Sequence, residues 1–248
     1  MIKISAVSYL NTLPFAFGIE QSEYVKANSH INRDIPSECA RKLMEGEVDL
    51  GLVPVAIIPK LKEYHIISDY CIGAVGKVNS VILYSHQPIE EVTEILLDYQ
   101  SRTSVNLCKI LCKHHWNITP KFIQGAAGYE QEILPHQAAV IIGDRTFAIN
   151  GTFPYEYDLS EEWFKMTGLP FVFAAWIANK EIPKAYIEEF NLAAANGLKH
   201  IEEAIEFGNI TLINKAEQKK YLTQSISYTL DDDKRAGLSS FLELLKTL

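Results

Sequence analysis

The stretch of sequence that decides the fold runs from Ile35 to Val55 and reads IPSECARKLMEGEVDLGLVPV. Pro36 stands where the first turn of a helix tolerates proline, Leu43 belongs to an apolar stripe at helical spacing, and Gly46 ends the pattern. Residues 48–55 then form a nearly continuous apolar run of strand length. Such a run is typical of a parallel strand buried on both faces, so the stretch predicts a helix that leads into the centre of an α/β sheet.

Outward from this stretch, the chain alternates between strand and helix patterns. Residues 2–7 alternate apolar and polar side chains and predict a strand before the helix, so that strand, helix and strand form a right-handed crossover. Further strands are predicted at residues 66–75, 80–84, 138–142 and 171–178, helices at residues 90–99, 101–115 and from 183 onward, and a long loop at residues 150–168.

Two α/β units fit this pattern better than one domain does. We predict a first lobe from residues 1–84 and 174–248 and a second lobe from residues 85–173, with the chain passing between the lobes twice. The predicted fold class is therefore α/β, with two lobes and a ligand cleft between them. Carboxyl ends of strands and amino ends of helices are expected to line that cleft.

Composition and charge exclude several functional classes. The 248 residues are 48% hydrophobic and carry 31 acidic against 23 basic side chains, which gives a formal net charge of −8. No overall positive field attracts nucleic acid or an anionic membrane, so neither is expected as a partner. The first residues lack the apolar segment of a secretory signal, and no apolar run approaches the ~20 residues that span a bilayer. A cytoplasmic protein is expected.

The four cysteines raise the question of a metal site. Cys108, Cys112 and His114 are metal-ligand types close together in the sequence, but Cys108 and Cys112 are spaced to share an apolar helix face, and no CxxC pair occurs. The favoured interpretation is that the cysteines are small buried hydrophobic residues, with no metal.

The segment Ser101-Arg102-Thr103-Ser104 is the most suggestive local feature for binding. Hydroxyls at a helix start lie beside unpaired backbone N–H groups and the positive end of the helix dipole, which together suit a carboxylate or a phosphate. Simple helix capping is the alternative, and Arg102 either reaches an anion or faces solvent.

Three further polar residues stand at the ends of predicted elements, where sites of α/β proteins commonly form. Asn11 follows the first strand, Ser37 begins the helix after Pro36, and Asp144 follows the buried strand at 138–142. Turn formation explains Asn11 equally well, capping explains Ser37 and Asp144, and Asp144 is also a candidate general base. No GxSxG, HExxH, P-loop or GxGxxG motif supports a standard hydrolase, zinc protease or nucleotide site.

Together these blocks resemble a known family over essentially the whole chain. The blocks are VSYLNTLPF at 7–15, the opening stretch at 35–55, NSVILYS at 79–85, SRTSVNL at 101–107, IGD at 142–144 and TGLPFVFAAW at 167–176. They look like the chorismate dehydratases, which begin the futalosine route to menaquinone. SYLNTLP and SRTS are the more specific of them.

The resemblance implies a fold, a reaction and a set of residues. The fold is periplasmic-binding-protein-like, of type II. The reaction is a dehydration by a carbon–oxygen lyase, which converts chorismate, a small dicarboxylate, to 3-[(1-carboxyvinyl)oxy]benzoate and water with no cofactor. Asn11 resembles the active-site asparagine of the family. The residues that look like carboxylate-holding hydroxyls are Ser80, Ser101, Thr103 and Ser104, and Arg102 of the same SRTS block joins them as a substrate-binding residue. Ser37 as a further substrate-binding residue and Asp144 as a second catalytic residue are weaker matches, because helix capping also places those residue types there.

The identity of the proton acceptor stays open at the level of sequence. An amide such as that of Asn11 does not accept a proton at neutral pH, although it forms a hydrogen bond with a leaving hydroxyl. One hypothesis gives the proton to the substrate's own enolpyruvyl carboxylate, held in place by the protein. The competing hypothesis gives it to Asp144.

Two other functions remain as alternatives. This fold is used mostly to capture ligands without chemistry, so a cytoplasmic binding or sensor protein for small carboxylates is one of them. The other is a second enzyme of the same pathway, which acts on dehypoxanthine futalosine. Oligomeric state and lobe closure are not readable from the residues.

Overall fold

The computed structural model describes residues 1–248, whose strands form two separate sheets. The strands are β1 (Ile2–Val7), β2 (Ser29–Asp34), β3 (Leu50–Pro54), β4 (His65–Ala74), β5 (Val81–Ser85), β6 (Glu94–Leu97), β7 (Lys121–Gln124), β8 (Gln137–Ile142), β9 (Tyr155–Asp158), β10 (Phe171–Ala178) and β11 (Ser227–Thr229). The helices are α1 (Leu13–Gln21), α2 (Glu23–Asn28), α3 (Pro36–Met44), α4 (Thr103–His114), α5 (Leu159–Thr167), α6 (Lys184–Lys199), α7 (Ile201–Gly208), α8 (Lys215–Lys220) and α9 (Asp232–Leu245).

The two sheets are mixed. The six-stranded sheet has the order β11-β4-β10-β3-β1-β2, with β1 parallel to β2 and β3, and β10 antiparallel to β3 and β4. The five-stranded sheet has the order β7-β6-β8-β5-β9, with β6 parallel to its neighbours and β5 antiparallel to its own. Helices α4 and α5 contact the smaller sheet, and α3, α6 and α9 contact the larger one. The architecture is therefore two α/β lobes.

The opening stretch folds as predicted. Helix α3 begins at Pro36 and buries Cys39 and Leu43, while every residue of β3 is buried. Strand β3 lies parallel to β1, with Leu50 opposite Ile4. Its other neighbour, β10, is antiparallel, so β3 occupies the interior of the sheet and is covered on both faces.

The prediction of a helix at residues 90–99 is wrong. A single 3₁₀ turn, Ile89–Glu91, leads instead into strand β6, which pairs with β7 and β8. In β6 the buried residues are Ile95 and Leu97, which alternate with less buried neighbours. Four residues are too few to separate a period of two from a helical period, and pairing within the sheet decides the outcome.

The prediction of a loop at residues 150–168 is also wrong in its second half. Strand β9 pairs with β5, and helix α5 follows at once. The Asp158 side chain caps α5 by accepting hydrogen bonds from the N–H groups of Ser160 and Glu161, and Gly168 ends it with a φ of 71°. The signal was an acidic cap followed by acidic first-turn residues and a terminal glycine.

The chain changes sheet between Ala74 and Val81, and again between Asp158 and Phe171. The lobe boundaries expected after residue 84 and before residue 174 fall inside β5 and β10, a few residues late in both places. Apolar runs such as these predict strands, but they do not show which sheet a strand joins.

The two sheets share one large hydrophobic core that includes residues of both lobes. Cys108 and Cys112 lie in it, fully or almost fully buried, and all four cysteines are free. His114 is exposed and contacts the Thr247 hydroxyl, and no group of three potential ligands is placed to hold a metal ion. None of the helices combines the length and the apolar character needed to cross a bilayer.

Candidate active site

A cavity lined by 18 residues lies where the two lobes meet. Strands of the larger sheet line it on one side, and the starts of α4 and β5 and the end of β8 line it on the other. Apolar walls with a few convergent polar groups are typical of small-molecule sites. Its polar side chains are Tyr9, Asn11, Thr12, Ser80, Ser101, Thr103 and Ser104.

The hydroxyls at the start of α4 are held by backbone N–H groups. The Ser101 hydroxyl accepts a hydrogen bond from the N–H of Ser104 at 3.0 Å, and the Thr103 hydroxyl accepts one from the N–H of Ala56 at 3.2 Å. The second of these bonds crosses between the lobes. Since a hydroxyl that has accepted an N–H still carries its own proton, both hydroxyls remain able to donate into the cavity. Two free hydroxyl donors at a helix amino end are an arrangement that suits an anion.

Asn11 supplies an acceptor with no partner. It lies in a short 3₁₀ turn, Leu10–Thr12, directly after β1. The Tyr228 hydroxyl holds this turn by donating to the Asn11 carbonyl oxygen at 3.0 Å. The side-chain oxygen Oδ1 of Asn11 is buried, and no donor of the protein forms a hydrogen bond with it. A buried acceptor without a partner costs free energy until a ligand supplies a donor.

The rest of the cavity wall is apolar. Val7, Leu52, Ile72, Val78 and Phe173 are among the residues that form it. No Lys, Arg, His, Asp or Glu side chain lines the cavity. An anionic ligand would therefore be held by hydroxyls and backbone N–H groups, with its apolar part against aliphatic and aromatic side chains.

Five of the eight residues predicted for the site line this one cavity, namely Asn11, Ser80, Ser101, Thr103 and Ser104. The other three do not. Pro36 lines the cavity where Ser37 was expected, and Arg102 occupies the N-cap position of α4 without lining it. Gly143 lines it in place of Asp144. The neighbours of the expected residues are at the wall because a helix or a turn points successive side chains in different directions.

Asp144 lies beside the cavity and faces the backbone of the opposite lobe. Both of its carboxylate oxygens lie 3.2 Å from the N–H of Leu10, which precedes Asn11. Burial raises the pKa of Asp144 to about 6, and the hydrogen bond from Leu10 opposes that rise. The carboxyl group thus joins the turn that carries Asn11 to the second lobe.

The raised pKa predicts a pH-dependent stability. An unfolded aspartate releases its proton at about pH 4, so between about pH 4 and 6 the folded chain holds a proton that the unfolded chain has lost, and stability falls as pH rises. Relative to the wild type, Asp144→Asn should therefore gain about 1–3 kcal/mol in free energy of unfolding across that interval, and no more above it. Urea unfolding of both proteins at a series of pH values measures this. A difference that does not change with pH would contradict it.

Sequence reasoning missed two tyrosines at the site. Tyr9 lines the cavity from the first lobe, and its hydroxyl donates to the side-chain oxygen of Gln100 in the second. The hydroxyl of Tyr221 lies 2.7 Å from that of Ser80. Tyr9 was within reach of a sequence argument, since it stands in the same block as Asn11. Tyr221 had no local signal because it meets the site only through folding.

Comparison with known proteins places the chain in a family. A family model described as menaquinone biosynthesis matches residues 2–247. The chain belongs to this family. Among curated relatives, this family member is 28% identical to a chorismate dehydratase of Thermus thermophilus over 85% of the chain and 84% of the relative. It is 23% identical to a chorismate dehydratase of Campylobacter jejuni over 98% of the chain and 96% of the relative.

Solved structures agree on the fold. Protein AF1704 of Archaeoglobus fulgidus matches with a TM-score of 0.76 at 13% identity, over 99% of this chain and 97% of that one. The periplasmic aliphatic sulphonate binding protein of Escherichia coli matches with a TM-score of 0.64 at 15% identity, over 99% and 86%. This member of the menaquinone biosynthesis family therefore has the periplasmic-binding-protein-like fold, as the family resemblance implied.

Proposed function

We propose that this chain is a chorismate dehydratase, a carbon–oxygen lyase that converts chorismate to 3-[(1-carboxyvinyl)oxy]benzoate and water. The observation that carries the proposal is the donor and acceptor pattern of the cavity. Hydroxyl donors converge at the start of α4, and a single buried acceptor, Asn11 Oδ1, lacks a partner. Membership of the menaquinone biosynthesis family and the two chorismate dehydratase relatives support it.

The pattern matches the groups of chorismate. As a dianion, chorismate has two carboxylates, which only accept hydrogen bonds, and one ring hydroxyl, which is its only donor. The carboxylates suit the hydroxyls of Ser101, Thr103 and Ser80, and the ring hydroxyl suits Asn11 Oδ1. The ring then lies against the apolar wall. This arrangement places the hydroxyl that must leave at Asn11.

The reaction needs one proton transfer and one bond cleavage. A base removes a ring proton, the electron pair of that C–H bond enters the ring, and the C–O bond breaks so that hydroxide departs with its electrons. The proton and the hydroxide together make water, and the ring becomes aromatic. Aromatisation provides the driving force, so the protein contributes mainly by orienting the substrate.

The substrate's enolpyruvyl carboxylate is the base that fits this cavity. No basic or acidic side chain lines the wall, and the carboxylate of Asp144 faces the Leu10 N–H. A base must come within hydrogen-bond reach of the proton that it removes. The role left for Asp144 is to hold the turn that carries Asn11.

Asp144→Asn separates these two assignments. The amide keeps an oxygen that accepts from Leu10 but loses the ability to take a proton, so we expect kcat for chorismate to stay within about threefold of the wild type. Steady-state kinetics at pH 7.5 or above, where the wild-type Asp144 carboxylate is ionised and able to accept a proton, give the comparison. A loss of several orders of magnitude in a folded variant would assign the base to Asp144.

Incubation of the purified protein with chorismate tests the proposed function. We expect chorismate to disappear, with a product lighter by one water and with the ultraviolet absorbance of a substituted benzoate. A protein that chorismate stabilises against melting but that leaves it unchanged would instead be a binding protein. Turnover of dehypoxanthine futalosine without turnover of chorismate would indicate a different enzyme. Either result would refute the proposal.

A further inference from the structure

Tyr9 joins the two lobes at the cavity. Its ring lines the cavity from the first lobe, and its hydroxyl donates to the side-chain oxygen of Gln100 in the second. Tyr9 precedes Asn11 by two positions, and Gln100 directly precedes Ser101. This one hydrogen bond therefore ties the acceptor that the first lobe presents to a donor that the second lobe presents.

Gln100 is held so that its side-chain oxygen faces Tyr9. Its Nε2 donates to the Tyr99 hydroxyl at 2.8 Å, which leaves Oε1 for Tyr9. Its backbone N–H donates to the carboxylate of Asp98 at 2.7 Å. Asp98 is 2% exposed and forms an ion pair with Arg145. The acceptor for Tyr9 is therefore part of a buried polar network, and such networks are rigid when their members are paired.

The ring of Tyr9 lies directly on a glycine of the second lobe. Gly143 has a φ of 65°, and a Cβ atom at this position would lie 3.0–3.3 Å from three atoms of the Tyr9 ring. Only a residue without a side chain leaves room for the ring here. The next residue, Asp144, accepts from the N–H of Leu10. Two consecutive residues of each lobe are thus in contact immediately before Asn11.

This junction matters because the groups assigned to the ligand belong to different lobes. The hydroxyls at the start of α4 are in the second lobe, and Asn11 is in the first. A ligand that bridges them is held at both ends only when their separation is correct. A misplacement of about 1 Å is enough to lower a rate about 100-fold.

We propose that Tyr9 is a positioning residue, which sets the separation between Asn11 and the Ser101 hydroxyl through its hydrogen bond with Gln100. The inference rests on the proposed function, since it takes the ligand to bridge these two groups. The Tyr9 hydroxyl has no step in the reaction, because its proton is engaged by Gln100. It acts through the groups that it holds at the correct distance.

Tyr9→Phe tests this inference, with Tyr84→Phe as a matched control. Tyr84 is a buried tyrosine whose hydroxyl also donates to an amide oxygen, that of Asn150, but both residues belong to the second lobe and neither lines the cavity. Phenylalanine at position 9 keeps the ring on Gly143 and loses only the hydroxyl. We expect Tyr9→Phe to lower kcat for chorismate about 10-fold with KM within about threefold, and Tyr84→Phe to change neither. Melting temperatures of both variants measure the purely structural cost.

Double-mutant cycles separate positioning from a merely structural role. Tyr9→Phe should lower kcat little further in a Gln100→Leu background, because the hydrogen bond is already lost, and little in an Asn11→Ala background, because the amide that is positioned is gone. A merely structural role would lower kcat by the same factor in every background. Additive losses in either background, or equal kcat values for Tyr9→Phe and Tyr84→Phe, would overturn the inference while an active wild type upholds the proposed function. A wild type without turnover would overturn both.

Discussion

Asn11→Ala is expected to lower kcat for chorismate about 100-fold while KM changes much less. The reason is the acceptor Oδ1, which is buried and has no partner within the protein. In the proposed function, the ring hydroxyl of chorismate is the donor that satisfies it, and this contact sets the orientation from which the hydroxyl leaves. Without it, the carboxylates still bind but the ring is free to take unproductive poses. Steady-state kinetics with product quantified by mass measure the effect.

The control for this variant is Asn28→Ala. Asn28 is exposed at the end of α2, and its side chain donates only to the carbonyl oxygen of Tyr24. Asn28→Ala therefore removes the same amide group at a position away from the cavity. We expect it to leave kcat unchanged. If Asn11→Ala retained wild-type turnover, the assignment of the ring hydroxyl to Asn11 would be wrong.

The double variant Ser101→Ala with Thr103→Val is expected to act mainly on binding. A hydrogen bond to a charged group contributes about 1.5–3 kcal/mol, so the loss of two should raise KM for chorismate about 100-fold or more. Thr103 also accepts from the Ala56 N–H across the lobes, so a lower melting temperature should accompany the change. Chorismate-dependent stabilisation in a melting experiment gives a second measure of the weakened binding.

Ser239→Ala with Thr211→Val removes the same two hydroxyls from exposed positions outside the cavity. It should leave KM and the chorismate-dependent melting shift unchanged. A wild-type KM in the Ser101 and Thr103 variant would show that the carboxylates are held elsewhere.

The expected effects of the Asn11 variant and of the Ser101 and Thr103 variant show how a chain with a net charge of −8 would bind an anionic substrate. An acidic chain that binds a dianion gains nothing from bulk attraction, and the wall of its cavity carries no basic side chain. The proposed function assigns the affinity to uncharged donors at the start of α4 and to exclusion of water by the apolar wall. Asp144 fits this arrangement because it lies beside the wall without lining it, and its carboxylate faces the Leu10 N–H.

The strongest patterns predicted their elements well because one physical cause dominated each of them. The opening stretch from Ile35 to Val55 combined a helix start, an apolar stripe and a fully buried strand, and α3 and β3 followed. The prediction of a helix at residues 90–99 was wrong because a four-residue strand and one helical turn bury similar side chains. Pairing with neighbouring strands decides that these residues form a strand. The places where the chain changes sheet also depend on such partners.

Sequence reasoning selected residues that line one cavity where a residue type and an element end coincided. Asn11 after β1 and the hydroxyls before α4 stand at such ends, and they meet in the cavity. The same rule also selected Ser37, Arg102 and Asp144, which do not line the cavity, because an element end fixes a position but not the direction of each side chain. Tyr221 was out of reach, since its contact with Ser80 joins residues 141 positions apart.

A crystal structure of the protein with 3-[(1-carboxyvinyl)oxy]benzoate bound tests the central claim most directly. We expect the product in the cavity between the lobes, with a carboxylate within hydrogen-bond distance of the Ser101 and Thr103 hydroxyls and the ring against the wall that contains Val7 and Phe173. The ring position that bore the hydroxyl should face Asn11. Product bound outside this cavity, or carboxylates held by Arg33 or another basic side chain, would contradict the account.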